Sequence, residues 1–191
     1  MKRLLHGLLF LCAISLPAYA ALKAGDKAPE FDAQAALAGK EFKFSLKEAL
    51  AKGPVVVYFY PSAYTGGCNV QAHTFSVNMD KFKAAGATVV GVSLDSIDRL
   101  KDFSADPEYC AGKLPVASDA DGKIAKAYNL DVKHFPGVKD TRGTEITHDF
   151  AERTTFVVTS DGKIAETIGG VKPDENVNLT LAAVQKLAPK S

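Results

Sequence analysis

The stretch "PVVVYFYP", residues 54 to 61, leaves this chain the least choice of fold. Val55 to Tyr60 is an unbroken run of β-branched and aromatic residues between two prolines. A strand that is apolar on both faces must be covered on both, which puts it in the middle of a sheet with helices above and below. The next residues agree. From Cys68 to about Ala85 the chain is helix-compatible, with Val70, Thr74, Val77 and Met79 near helical spacing, and Gly86 ends the run. "ATVVGVSL" then reads as a second buried strand. Strand, helix, strand is a βαβ unit, which crosses over right-handed.

The rest of the chain adds to this unit. After the lead "ALKAGDKAPEF", a weakly apolar stretch runs to Phe44. Ser45 and Glu48 have the spacing of a capping box, opening a short helix that Gly53 stops. Asp95 and Ser96 cap a helix reaching about Phe103, "LPVASD" is a short third strand, and "DGKIAKAYNL" is a helix. Periodicity fades through "KHFPGVKDTRGTEITHDF", which reads as an irregular insert or hairpin. "RTTFVVTSDGKIAETIGG" is a β-hairpin turning at Asp161-Gly162, and Pro173 opens a final amphipathic helix with acids in its first turn. The expected fold is α/β, a thioredoxin-like three-layer sandwich with a central mixed β-sheet flanked by helices, in one domain over residues 21–191.

Residues 1–20, "MKRLLHGLLFLCAISLPAYA", combine Lys2 and Arg3, an apolar run and a small-x-small site at Ala18-Tyr19-Ala20. This is the pattern of a secretory signal peptide. Lys23 and Lys27 follow too soon for a membrane anchor of about 20 apolar residues. The expectation is a protein exported across the inner membrane, periplasmic, with no membrane attachment after signal removal. Cys12 goes with the signal. Losing Lys2 and Arg3 takes the formal charge from +1 to −1, so no positive field favours nucleic acid. Cys68 and Cys110 remain in a compartment where disulfides persist, and two cysteines are too few for a disulfide scaffold. A structural staple and a redox pair are the readings they allow.

"PSAYTGGCNVQAHTF", residues 61–75, follows the central strand. A thiol in the first turn of a helix feels unpaired N–H groups and the positive end of the helix dipole, both of which favour the thiolate. Cys68 is thus a candidate nucleophile, although a cysteine after a strand also serves as a small buried hydrophobe. Gly66 and Gly67 let the backbone approach a small oxygen-rich ligand. The Thr65 hydroxyl can orient sulfur or ligand, and Pro61 can shield the thiolate without donating a proton.

Pro61-x-x-x-Thr65-x-x-Cys68 after an apolar strand resembles the active-site motif of the peroxiredoxins, the alkyl hydroperoxide reductase and thiol-specific antioxidant family. "KAGDKAPEF", "VVGVSLDS", "PVASDADGKIAKAYNL" and "ERTTFVVTSDGKI" resemble further segments of that family in the same order. The likeness is nearest to its Q-type, bacterioferritin-comigratory-protein-like branch. It implies Cys68 as peroxidatic cysteine, Thr65 as its hydrogen-bond partner, Pro61 as shield and Arg153 as the cation beside the thiolate. It also implies a hydroperoxide substrate, a thioredoxin-like or other dithiol reductant, no cofactor or metal, and a monomer or weak dimer. Three positions depart from the branch. Gly66 stands where many members have proline, His73 where a subgroup has a second cysteine, and Gln71 where many have glutamate. The local disulfide of that subgroup is therefore impossible here. Cys110 is the internal candidate to resolve a sulfenic acid at Cys68, alongside the roles of spectator and static disulfide partner.

Other chemistries fit less well. His73, His134 and His148 lack metal-site spacing with the cysteines, and "DADGK" has lysine at the next calcium-ligand position. A thioredoxin-like disulfide oxidoreductase would place a second cysteine after Cys68, where Asn69, Val70 and Gln71 follow. A non-enzymatic redox sensor or holdase would use the same Cys68.

Overall fold

The computed structural model describes residues 20–188. The expected signal segment, with Cys12, lies outside the described residues except for Ala20. The central run forms β3 (Val55–Phe59), and residues 66–84 form α2 (Gly66–Ala84), leading to β4 (Thr88–Ser93). Ahead of them stand β1 (Asp32–Leu37), β2 (Lys40–Ser45) and α1 (Leu46–Leu50). Behind them come α3 (Ile97–Ala105), β5 (Val116–Ser118), α4 (Lys123–Ala127), β6 (Val132–Lys133) and β7 (Phe150–Ala151). The chain continues through β8 (Thr154–Val158) and β9 (Ile164–Gly169) to α5 (Pro173–Leu187).

Seven strands form one sheet in the order β2-β1-β5-β4-β3-β8-β9. β3, β4 and β5 run parallel, while β8 lies antiparallel to β3, and β1 to β5. Alternation along β3 splits the core. Val55, Val57 and Phe59 face the layer of α1 and α4; Val56, Tyr58 and Tyr60 face α2, α3 and α5. Burying each large apolar side chain here stabilises by about 1.5–3 kcal/mol, so the strand is held on both faces. This is the expected three-layer sandwich with a mixed sheet.

Three local expectations need correction. The weakly apolar stretch before Ser45 is a hairpin, β1–β2, that adds two strands at the sheet edge. Ser45 is the residue preceding α1, but its side chain makes no cap hydrogen bond; it stands opposite Asp32 across the hairpin. Along α2, Val70 and Val77 are exposed, and the core is met by Cys68, Gln71, Ala72, Phe75, Met79 and Phe82. Phe75 takes the inward position because its ring stacks on Tyr58, 4.4 Å between centroids.

The final hairpin turns at Gly162, with φ of 80°. The insert is partly regular: β6 pairs with β7, and Lys139 bridges Glu145. Asp119 of "DADGK" accepts the Ile124 and Ala125 N–H groups at 3.0 and 2.8 Å and so caps α4.

Candidate active site

The end of β3 delivers Pro61 to Thr65 as a tight loop, and α2 starts two residues ahead of its expected place, at Gly66. The first helical bond runs from Asn69 N–H to Thr65 O at 2.8 Å. The N–H groups of Gly66, Gly67 and Cys68 therefore precede the ladder and point out of the helix N-terminus. Cys68 lies at that end, only 2% exposed.

Arg153 arrives from the junction of β7 and β8, which is how the antiparallel strand beside β3 brings a distant residue to the site. Its Nη2 lies 3.3 Å from Cys68 Sγ, and its Nη1 donates to Gln71 Oε1. Gly67 makes this approach possible: a Cβ there would sit 3.1 Å from Arg153 Nη2 and 3.3 Å from Pro173.

Gln71 is wholly buried and meets the guanidinium of Arg153 with a neutral amide oxygen. Its amide donates to Asn176 Oδ1 at 3.0 Å. Asn176 also accepts from Thr155 Oγ1 at 2.7 Å and donates to Ile168 O at 3.0 Å. A fully paired neutral chain thus runs from α5 to the guanidinium, leaving its positive charge undiminished for the sulfur. Neither Asn176 nor Thr155 stood out in the sequence; a polar residue on the apolar face of the last helix was the available signal.

The Thr65 hydroxyl donates to Ser62 O at 2.8 Å, and no hydrogen bond joins it to Cys68 Sγ. Its oxygen keeps lone pairs for an incoming donor. Pro61 is half-buried and lines, with Arg153, Phe135 and Phe150, a cavity of about 300 Å³ beside the site. The Phe135 and Phe150 rings stack 5.6 Å apart at its wall.

Cys110 is wholly buried in the same apolar cluster as Cys68, and both thiols are free. Burial pushes the Cys110 thiol well up, so it is held protonated. Tyr58 belongs to the same cluster; its buried hydroxyl has no partner, and burial pushes its phenol upward. His73 Nδ1 lies 3.0 Å from Glu108 O and so ties α2 to the turn that carries Cys110.

A second cluster, unforeseen in the sequence, grips the loop from behind. Of Asp95 and Ser96, read together as the helix cap, Ser96 caps α3 by accepting the Arg99 N–H at 3.3 Å, while Asp95 is fully buried. Asp95 accepts from Ser62 Oγ at 2.8 Å, Ala63 N at 2.8 Å and Ser93 Oγ at 2.7 Å, and meets His148 Nε2 at 2.8 Å. Arg99 Nη2 bonds both Ala63 O and Asp140 at 2.8 Å. Among the described residues, no group of three or more His, Cys, Asp or Glu is placed to hold a metal ion.

The model of the AhpC/TSA family matches residues 24–167. Peroxiredoxin Bcp of Escherichia coli K12 is 32% identical over 161 residues, 84% of this chain and 94% of that protein. Among solved structures, peroxidoxin BcpB from Mycobacterium tuberculosis superposes with a TM-score of 0.73 at 27% identity, over 88% of this chain and 99% of that one. The Xanthomonas campestris bacterioferritin comigratory protein, solved in work on its alkyl peroxide reduction, gives 0.64 at 27% identity over 82% and 92%.

Proposed function

The chain belongs to the AhpC/TSA family, and from that premise we propose that it is an exported peroxiredoxin that reduces hydroperoxides through Cys68. Its activity class is thiol peroxidase, an oxidoreductase acting on peroxides. The observation that carries the residue assignment is the guanidinium of Arg153 set 3.3 Å from a sulfur at a helix N-terminus. Arg153 stays charged in any surroundings and so sets a full positive charge beside that sulfur.

The Cys68 thiolate attacks one peroxide oxygen along the O–O axis. The S–O bond forms as the O–O bond breaks, and the other oxygen leaves as hydroxide or alkoxide, taking its proton from water. Arg153 and the N–H groups at the start of α2 stabilise the charge that develops on the two oxygens. Thr65 accepts the peroxide O–H, and Pro61 keeps bulk water from the sulfur. The cavity walled by Phe135 and Phe150 opens beside Arg153 and suits the carbon skeleton of an organic hydroperoxide; alkyl peroxide reduction is described for the Xanthomonas relative.

Cys68 becomes a sulfenic acid. Cys110 then attacks its sulfur, forming the disulfide and releasing water, and a thioredoxin-like or other dithiol returns both thiols. Cys110 is buried and protonated, so this step needs the first turn of α2 or the 106–114 turn to open, bringing the two Cα atoms within about 7 Å. Export rests on residues 1–20, and the chain works as a monomer or weak dimer.

The test is titration of the reduced mature protein with hydrogen peroxide, followed by intact mass, on wild type, Cys68→Ser and Cys110→Ser. Loss of two protons by wild type, with added oxygen on Cys68 in Cys110→Ser, supports the internal disulfide. Accumulation of sulfenic or sulfinic acid in wild type makes Cys110 a bystander. An inert Cys68 ends the peroxidase assignment. Export is checked by fractionation and by an N-terminus at Ala21.

A further inference from the structure

His148 lies in the insert, away from Cys68, yet it is built into the loop that carries Thr65. Its Nδ1 lies 2.7 Å from Asp149 O, and its Nε2 lies 2.8 Å from Asp95 Oδ1 and 3.3 Å from Ser62 Oγ. A carbonyl oxygen can only accept, and so can an ionised carboxylate. Asp95 is ionised: it takes two hydroxyl donors and one N–H, and Arg99 Nε stands 2.9 Å from it, an ionic contact off the N–H axis. Both His148 nitrogens must therefore carry protons for both bonds to exist. The ring is an imidazolium locked to a buried carboxylate.

We propose that His148, as an imidazolium, is a positioning residue for the reactive loop, and that its deprotonation loosens that loop as pH rises. The mechanism follows from who holds what. Asp95 grips Ser62 by its hydroxyl and Ala63 by its N–H, while Thr65 hangs from the Ser62 carbonyl. The ring gives up the proton that is less firmly held, the Nδ1 one shared with the neutral Asp149 carbonyl, because Nε2–H is held by an ionised carboxylate. The Nδ1 lone pair then faces a carbonyl oxygen, that contact turns repulsive, and the ring is pushed from its place against Asp95 and Ser62. Moving Ser62 moves Thr65, and with it the entry to α2.

The charged and titratable groups facing His148 set the direction. From the turn after β4 and from α3 come Asp95 and Arg99, the latter shared with Asp140, which Arg142 also contacts. The insert contributes the Phe150 ring edge at 5.8 Å and the Asp149 side chain, which is turned away to His134. Glu145 lines the same cavity of about 390 Å³, which gives protons a route to the ring. Burial opposes the charge on His148, but the hydrogen bond and charge of Asp95 outweigh it, and the pKa is raised. The latch is thus closed on the acid side and opens as pH rises through that raised value.

The inference rests on the peroxidase reading, so its test carries a readout independent of peroxide. Ring-nitrogen NMR shifts of His148 and the amide shifts of Ala63 and Thr65 are followed in the reduced wild type from about pH 5 to 9. The rate of Cys68 oxidation by hydrogen peroxide is measured over the same range in wild type, His148→Gln and His148→Ala. The expected result is an imidazolium at acid pH, with Ala63 and Thr65 moving at its midpoint and the wild-type rate falling roughly tenfold through it. His148→Gln can donate to Asp95 but cannot titrate, so it keeps the faster rate and loses the step. His148→Ala stays at the slower level throughout. A neutral ring across the range, amides that ignore it, or a wild-type step retained in His148→Gln overturns the proposal. If wild-type Cys68 ignores peroxide, the peroxidase assignment fails by itself, and the NMR titration still decides the latch. The same titration decides it if His148→Ala does not fold.

Discussion

Arg153 is the residue on which the site turns, because one guanidinium serves Cys68 and Gln71 at once. Arg153→Met removes the charge, and hydrogen peroxide should oxidise Cys68 about 100-fold more slowly, measured by competition against a reference peroxidase with the fold checked by circular dichroism. Arg153→Lys should recover little of this, since a single ammonium cannot reproduce the two-pronged contact. The Pro61–Thr65–Cys68 motif and Arg153 were legible in the sequence because residue type and order carry them. Gly91 was not: its demand is set by Tyr58, whose ring would lie 2.5–2.7 Å from a Cβ there. That ring is wedged by Phe75 and Tyr60, with centroids 4.4 and 5.3 Å away, and cannot retreat. Gly91→Ala should therefore cost about 1–3 kcal/mol, read as a shift in urea midpoint at unchanged slope.

Elements were legible where their pattern was strong. β3, β4 and the β8–β9 hairpin stand as expected, because continuous β-branched runs and an Asp-Gly turn leave few alternatives. β1 and β2 were missed, since "DAQAAL" and "KEFKFS" have weak strand propensity and are paid for by pairing with each other and with β5. The buried face of α2 was not legible in the spacing of Val70, Thr74, Val77 and Met79, of which only Met79 is buried, because aliphatic spacing cannot reveal that Cys68 and Gln71 must point at Arg153. α5 shows what an element can hold in place. Asn176→Ala would leave Gln71, Thr155 and Ile168 O without their buried partner. It should lose about 2–4 kcal/mol in urea unfolding and also slow Cys68 oxidation, as Arg153 loses its support.

For the molecule as a whole, the ionised cluster behind the loop sets the response of stability to pH. Asp95 and Asp140 are buried, which opposes their charge, but their hydrogen bonds and cationic partners win and lower both pKa values below the usual 3.8. Groups so lowered contribute stability above their unfolded value and lose it as pH falls through the folded one. His148, raised above 6.5, contributes fully below that value and loses its share as pH rises through the folded one. The melting temperature should thus be flat between these limits, fall in acid below about pH 4, and step down on the alkaline side. The alkaline step should vanish in His148→Gln. Sequence by itself determined the layered α/β architecture and pointed to Cys68 and Arg153, which the fold brings together, because runs, turns and motif order are properties of the chain read locally. Only the tertiary structure decided that a neutral Gln71–Asn176 chain holds Arg153 and that Asp95 and His148 clasp the loop from behind. The Gln71–Asn176 and Asp95–His148 contacts join residues 105 and 53 positions apart, and their worth comes from burial, which exists only once the layers have closed.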